Sequence, residues 1–281
     1  MSPLPTFPLP NPATRSRLAA SSIEPIQVFC DDGILTIRLN RPHVLNAIDL
    51  DLVEQLSEQL HQVAINPAIR AVIITGEGRA FCSGGDLKFA YQANPERPGD
   101  SFLALTAILH DCIETIRSMD KPVIAAINGP AAGAGLFLSL ACDFRVMARS
   151  AYLKQSNTTY GLSLPAGGTF SLPRLVGLGQ ALEIILLDEP IAAHKAHRIG
   201  LVQRVVPRAR LVAEAQTLAK RMAAMPINTL GQTKRLLNES FYSTLTEQLA
   251  AERQNIAQAA NSSEGREGIA AFMQKRQPQY Q

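Results

Sequence analysis

An α/β fold with a helical C-terminal part is what the sequence predicts, and three features predict it. Apolar runs of strand length alternate with helical patterns from residue 26 to Val206. Past Val206 every periodic stretch is helical. Twice a strand-like run enters a helix through a turn of the smallest side chains, Ser83-Gly84-Gly85 and Ala131-Ala132-Gly133-Ala134-Gly135. A chain of 281 residues with 46% apolar content fits one large domain or a domain with an appendage, and can fill a core. The expected organisation is a disordered proline-rich tail over 1–24, an α/β core over 25–206 and a helical region over 207–281.

Each element has its own justification. Pro3, Pro5, Pro8, Pro10 and Pro12 keep the tail extended. Arg15 and Arg17 share a trait with transit peptides, but the proline density spoils an amphipathic helix. Residues 26–40 alternate around the turn Asp31-Asp32-Gly33, giving a hairpin that Arg41-Pro42 closes. Asp49 or Asp51 caps a helix whose apolar face is Leu52, Leu56, Leu60 and Val63. Residues 71–75 form a buried strand, ended by Gly76-Glu77-Gly78, and Asp86 caps the helix that follows the first small-residue turn. A polar loop over 92–100 leads to a helix over 101–119. The strand 123–127 is broken by Asn128-Gly129-Pro130, a buried helix follows over 136–141, and 144–148 is a further strand. Helices are expected over 166–176, 180–187 and 191–199, then a strand over 201–206. Helices over 211–225, 227–237 and 245–260 and a segment over 265–276 close the chain.

Composition excludes several classes of function. A net charge of +3 is too small, at this length, to argue for nucleic acid. No apolar run approaches the roughly 20 residues that span a bilayer. Cys30, Cys82, Cys112 and Cys142 are scattered, with no CxxC pair and no secretory signal, and read as reduced, buried thiols of a cytoplasmic protein.

The two small-residue turns carry the chemistry. A turn without bulk exposes amide N–H groups at the positive end of a helix, which suits a negative oxygen. If both turns converge, the N–H groups of Gly85 and Ala134 can hold one oxygen between them, an oxyanion hole made of backbone. The competing reading is that small residues merely let helices pack close to a sheet. Other motifs are weaker. Gly133-Ala134-Gly135 lacks the third glycine of a dinucleotide fingerprint, which Leu138 replaces. Gly161-Leu162-Ser163-Leu164-Pro165 has proline where a nucleophile elbow needs glycine. His194 and His197 lie one helical turn apart without a nearby carboxylate or thiol, so no metal is expected.

The segments RAFCSGGDLK (79–88) and KPVIAAINGPAAGAG (121–135) resemble the enoyl-CoA hydratase/isomerase (crotonase) superfamily. RPHVLNAI (41–48), GLSLPAGGTFSLPRLVG (161–177), AHRIGLVQRVVP (196–207) and SSEGREGIAAFMQKRQPQY (262–280) support the resemblance. It implies a crotonase-like spiral of β-β-α turns, with C-terminal helices that mediate homotrimers, often paired into hexamers. It also implies an acyl-CoA thioester whose carbonyl sits between the amides of Gly85 and Ala134, with no cofactor beyond the CoA moiety. Val44, Leu45, Ala47, Ser83 and Leu87 would line the CoA side of the cleft, with Asn157 on the substrate. Lys275, from a neighbouring subunit, would approach the CoA phosphates.

The sequence departs from the family where its reactions diverge. The two glutamates of the hydratases fall on Phe137 and Asn157, and the carboxylate of isomerases falls on Pro165. Water addition needs one group to activate water and another to deliver a proton, and Phe137 can do neither. His110 matches the general-base histidine of the hydrolytic dehalogenase branch, but that branch's aspartate nucleophile also falls on Pro165. Tyr160, Thr158, Thr159 and Ser163 lie on the segment expected to face the acyl group, so Tyr160 is the second candidate for moving a proton. Two functional classes follow: an acyl-CoA enzyme with non-standard proton carriers, acting by isomerisation, hydration/dehydration or decarboxylation, and a non-catalytic acyl-CoA-binding protein.

Overall fold

In a computed structural model, which describes residues 24–280, the chain is a spiral wound around two sheets. The proline-rich tail assigned to 1–24 lies, apart from Glu24, outside the described residues. The hairpin is β1 (Ile26–Asp31) and β2 (Ile34–Leu39), paired antiparallel with Asp31 opposite Ile34. The other strands of the larger sheet run parallel: β3 (Ala71–Gly76), β4 (Val123–Ile127), β6 (Phe144–Ala148) and β9 (Arg204–Val206), in the order β1-β2-β3-β4-β6-β9. Every residue of β3 and β4 is buried, which is why they read as unbroken apolar runs rather than alternating ones.

A smaller sheet is built from β5 (Ala131–Ala132), β7 (Tyr152–Lys154) and β8 (Ile191–Ala192). Two isolated bridges extend it: Cys82 pairs with Ala131, and Ile48 with Gly85. Each turn of the spiral therefore places one strand in the large sheet and a short rung in the small one before its helix. The helices are α1 (Leu50–Ile65), α2 (Leu87–Ala93), α3 (Pro98–Ser118), α4 (Ala134–Ala141), α5 (Gly168–Val176), α6 (Leu178–Leu187) and α7 (Ala193–Arg198). The C-terminal helices are α8 (Leu211–Ala223), α9 (Ile227–Glu239), α10 (Leu245–Asn261) and α11 (Ser263–Met273). Of these, α8 lies on β2, β3, β4 and β6, and its Leu211, Ala215, Leu218 and Ala219 join the main core, so the core continues past residue 206.

Helix ends are closed by side chains, some adjacent in sequence and some distant. Asp49 caps α1 by accepting from Leu52 N–H at 3.0 Å. The buried Lys121 ammonium donates to the Val63 and Asn66 carbonyls where α1 ends, and burial lowers its pKa. Arg145 does the same for α4, donating to Cys142 O at 2.6 Å and Leu201 O at 2.6 Å. Glu264 receives the N–H groups of Asn228 and Thr229, each at 3.2 Å, and so ties α11 to the start of α9.

Several expectations need correction. No periodicity predicts the three strands of the small sheet, and residues 191–192, whose pattern predicts a helix, form β8; two or three residues are too few to show a period. Helix α3 begins at Pro98, inside the expected loop, because proline suits the first helical position. The last strand starts at Arg204, not at 201. Cys30 is exposed on the edge strand β1, whereas Cys82, Cys112 and Cys142 are buried. Among the described residues no helix is long and apolar enough to cross a membrane.

Burial pushes the thiols of Cys82, Cys112 and Cys142 up to about 12; the Arg41 charge at Cys82, the Ser57 hydrogen bond at Cys112 and the Arg145 and Lys234 charges at Cys142 offset that desolvation only in part. The folded protein is expected to present a single fast-reacting thiol, Cys30, to a chromogenic disulfide reagent at pH 8, and all four after denaturation. More than one fast-reacting thiol in the native state contradicts this.

Candidate active site

The site forms where two rungs of the small sheet end. Phe81 N–H donates to Pro130 O at 3.0 Å, Cys82 N–H to the same oxygen at 3.3 Å, and Ala132 N–H returns a bond to Cys82 O at 2.9 Å. This pairing lays the turn after Cys82 beside the turn after Ala132. Close approach demands bare backbone. A Cβ on Gly129 would run into the Arg79 carbonyl, and one on Gly135 would meet the Cys82 side chain. A Cβ on Gly84, whose φ is +105°, would lie 3.1 Å from Ala132 O and 3.4 Å from Ala134 N. The two turns are in contact.

Both turns border one space. Ile48 N–H donates to Gly84 O and Asp86 N–H to Ile48 O, each at 2.8 Å, so the peptide groups flanking Gly85 are turned toward Ile48. By the alternation of a strand, the N–H of Gly85 itself points the other way. Ala134 is the first residue of α4, and an N–H there has no acceptor within the helix. Both residues line a cleft of about 350 Å³.

Two buried asparagines hold the loop that delivers the first turn. Asn46, fully buried, donates to the carbonyls of Glu77, Ala80 and Phe81 at 3.0, 2.9 and 3.2 Å and accepts Arg41 N–H at 2.9 Å. Asn128 donates to Gly78 O and Ala80 O, each at 3.1 Å, and accepts Gly76 N–H at 3.1 Å. Arg41 then joins two helix caps, lying 2.8 Å from Asp49 and 3.3 Å from Asp86. Asp86 caps α2 through Phe89 N–H at 3.1 Å. Burial raises the Asp49 pKa, opposed by Leu52 N–H and by the Arg41 charge.

The cleft gathers most of the residues singled out in the sequence. Gly85, Ala134, Ser83, Leu87, His110, Asn157 and Tyr160 all line it. Val44, Leu45 and Ala47 lie outside the lining; Ser83 is tied to them, its hydroxyl donating to Val44 O at 3.3 Å and its N–H to Leu45 O at 3.0 Å. Lys275 is exposed beyond the end of α11 and outside the lining. Phe137 is buried away from the cleft, its ring against Gly168, where an added Cβ would come within 2.7 Å. His110 Nε2 accepts Ala166 N–H at 3.2 Å. Tyr160, 66% exposed, stands at the cleft mouth.

Residues not anticipated complete the wall: Phe102, Leu105, Thr106 and Leu109 form one stripe of α3 with His110, and Phe102 lies against Gly85. Leu162, Leu164 and Pro165 face the same space, with Ser163 on the segment expected there. Asp188 secures the segment carrying Asn157 by accepting Ser156 N–H at 2.8 Å and the Thr159 hydroxyl. Helical periodicity marks Leu105 and Leu109 as inward-facing, but not as facing a cavity. Among the described residues, the lining contains no aspartate or glutamate. Nor do the described residues contain a cluster of three or more histidine, cysteine or acidic side chains placed to hold a metal; His197 Nδ1 lies 3.0 Å from Val202 O.

A model of the enoyl-CoA hydratase/isomerase family matches residues 30–281. The chain belongs to this family. A 1,2-epoxyphenylacetyl-CoA isomerase of Escherichia coli K12 is 37% identical over 251 residues, 89% of this chain and 95% of that protein. A 4-chlorobenzoyl coenzyme A dehalogenase of an Arthrobacter species is 31% identical over 258 residues, 92% and 94% of the two chains. The crystal structure of an enoyl-CoA hydratase from Polaromonas sp. JS666 superposes with a TM-score of 0.87 at 40% identity, covering 91% of this chain and 99% of that one. The fold is therefore that of the enoyl-CoA hydratase/isomerase family, as the sequence motifs imply.

Gly84 and Gly85 make opposite predictions. Gly84→Ala forces a side chain into positive φ and against Ala132 O, and is expected to cost about 1–3 kcal/mol by urea unfolding. An added Cβ on Gly85 meets only Phe102, at 3.7 Å, so Gly85→Ala is expected to stay within about 0.5 kcal/mol of the parent. Equal losses in both variants would contradict the described geometry.

Proposed function

We propose that the chain is an acyl-CoA enzyme that stabilises a thioester enolate between the amides of Gly85 and Ala134. The observation that carries this reading is that Gly85 and Ala134 line one cleft, the first with its N–H turned from its strand partner and the second at a helix N-terminus. A thioester oxygen seated there gains negative charge as a proton leaves the α-carbon. Two fixed amides and the positive end of α4 favour that charge over the neutral carbonyl.

The reaction is one that does not depend on a pair of carboxylates. Phe137 and Asn157 stand where the resemblance puts the hydratase glutamates, and no acid lines the cleft among the described residues. An amide has no useful proton affinity, so Asn157 serves binding rather than proton transfer. We assign proton transfer to Tyr160, at the mouth, acting directly or through a water. Isomerisation is the reaction this set of groups suits best, since it moves a proton without having to activate a water. The name of the 37%-identical Escherichia coli relative, an isomerase of a CoA thioester, agrees with that choice.

Assembly belongs to the same proposal. Leu245, Leu249 and Ile256 on α10 and Phe272 on α11 are more than half exposed in the single chain. Contact between copies would cover them and bring Lys275 of a neighbour toward the CoA phosphates.

Mixing the protein with crotonyl-CoA and longer enoyl-CoA thioesters, while following binding and the enone absorbance, tests the reading. Binding with turnover is expected. Ala134→Pro, which removes one N–H at a position that tolerates proline, should lower turnover about 10²–10³-fold with the fold retained by circular dichroism. Tyr160→Phe should lose turnover and keep binding. Binding without turnover across the panel would instead favour an acyl-CoA carrier.

A further inference from the structure

His110 occupies the place of a base but is bonded as an acceptor. Its Nε2 receives the Ala166 N–H at 3.2 Å. A neutral imidazole that accepts at Nε2 carries its proton on Nδ1, so its free lone pair is already engaged. The bond reaches an unusual piece of chain. Ala166 has φ +53° and is followed by Gly167 at φ +69°, so a left-handed alanine opens the turn into α5. Gly168 N–H closes that turn on Pro165 O at 3.0 Å, and the Phe137 ring fills the space beneath Gly168.

The wall of the cleft is suspended between two polar anchors. At one end Asn157 holds it: Leu162 N–H donates to Asn157 O at 2.9 Å, and Asn157 Nδ2 donates to Ser163 O at 3.1 Å. At the other end the anchor is His110. Between them Leu162, Leu164 and Pro165 face the space where the acyl group is proposed to lie. We propose that His110 is a positioning residue, neutral and protonated on Nδ1, whose Nε2 latches Ala166 N–H and sets the 162–165 wall against the acyl group. Protonation of the imidazole turns Nε2 into a donor facing another donor, and the latch opens. The other charged or titratable groups around His110 are Tyr160, which lines the same cleft, and Asp111 and Glu114 on α3 itself. Asp111 is turned to Ser57 at 2.7 Å and His61 at 3.1 Å on α1; α4 and residues 161–168 bring none.

This inference rests on the proposed acyl-CoA reading for its binding arm only. Full-length protein labelled with ¹⁵N-histidine is examined first by long-range ¹H–¹⁵N correlation at neutral pH, with His110 assigned by its loss in His110→Gln. The Nδ1–H tautomer is expected; an Nε2–H tautomer or an imidazolium overturns the latch, whatever the protein binds. Crotonyl-CoA affinity is then measured against pH. His110→Ala should weaken binding about ten-fold at neutral pH. His110→Gln, whose Oε1 can accept from the same N–H, should restore most of that affinity and lose the wild-type decline on acidification. The CoA phosphates titrate equally in all three proteins, so the difference isolates His110. A glutamine variant as weak as the alanine one, with the pH profile unchanged, overturns the latch. If crotonyl-CoA fails to bind the wild type, the acyl-CoA reading falls and the tautomer still decides the latch.

Discussion

The bonds from Phe81 and Cys82 to the Pro130 carbonyl, answered by Ala132 N–H to Cys82 O, decide where a cleft can form. They join two turns of the spiral that are about fifty residues apart in sequence and bring Gly84 against Ala132 and Ala134. The pairing tolerates no side chain at Gly129 or Gly135, and Gly84 touches the opposite turn. Burial keeps the Cys82 thiol inert beside this seam, its pKa pushed up to about 12 by desolvation that the Gly84 N–H and the Arg41 charge only partly oppose. The structure shows the close packing that one reading of the small-residue turns expects, and the proposed oxygen site is built on that same seam.

Much of this was legible in the sequence because it depends on local rules. Asp49 and Asp86 read as helix caps and accept the expected N–H groups. The buried strands and three of the C-terminal helices follow from apolar period and length, and the expected last segment is the helix α11. What was not legible is non-local. The strands of the small sheet have two or three residues each and exist because a neighbouring rung pairs with them. The stripe of α3 that contains Leu105 and Leu109 looks the same whether it meets core or cavity. The bond between His110 and Ala166 spans 56 residues and involves a backbone group, so no side-chain pattern announces it.

The relation between His110 and Phe137 shows how one wall can be held from two sides. Phe137 supports Gly168 by filling volume, and His110 supports Ala166 by accepting a hydrogen bond from its N–H. Neither needs to touch the reacting atoms to matter. On the proposed reading, a cleft with no acid in its described lining relies instead on the shape of an apolar wall and on backbone donors, both of which are properties of the fold. Residue identity at the position of a family's catalytic glutamate is then a packing question before it is a chemical one.

Asn46 and Asn128 spend their amide donors on main-chain carbonyls of the stretch between Gly76 and Phe81, not on its side chains. The exterior of that stretch, where Arg79 is exposed, is thus uncoupled from its path through space. Surface chemistry there can drift, accept a label or carry a tether while the backbone upstream of Gly85 keeps its course.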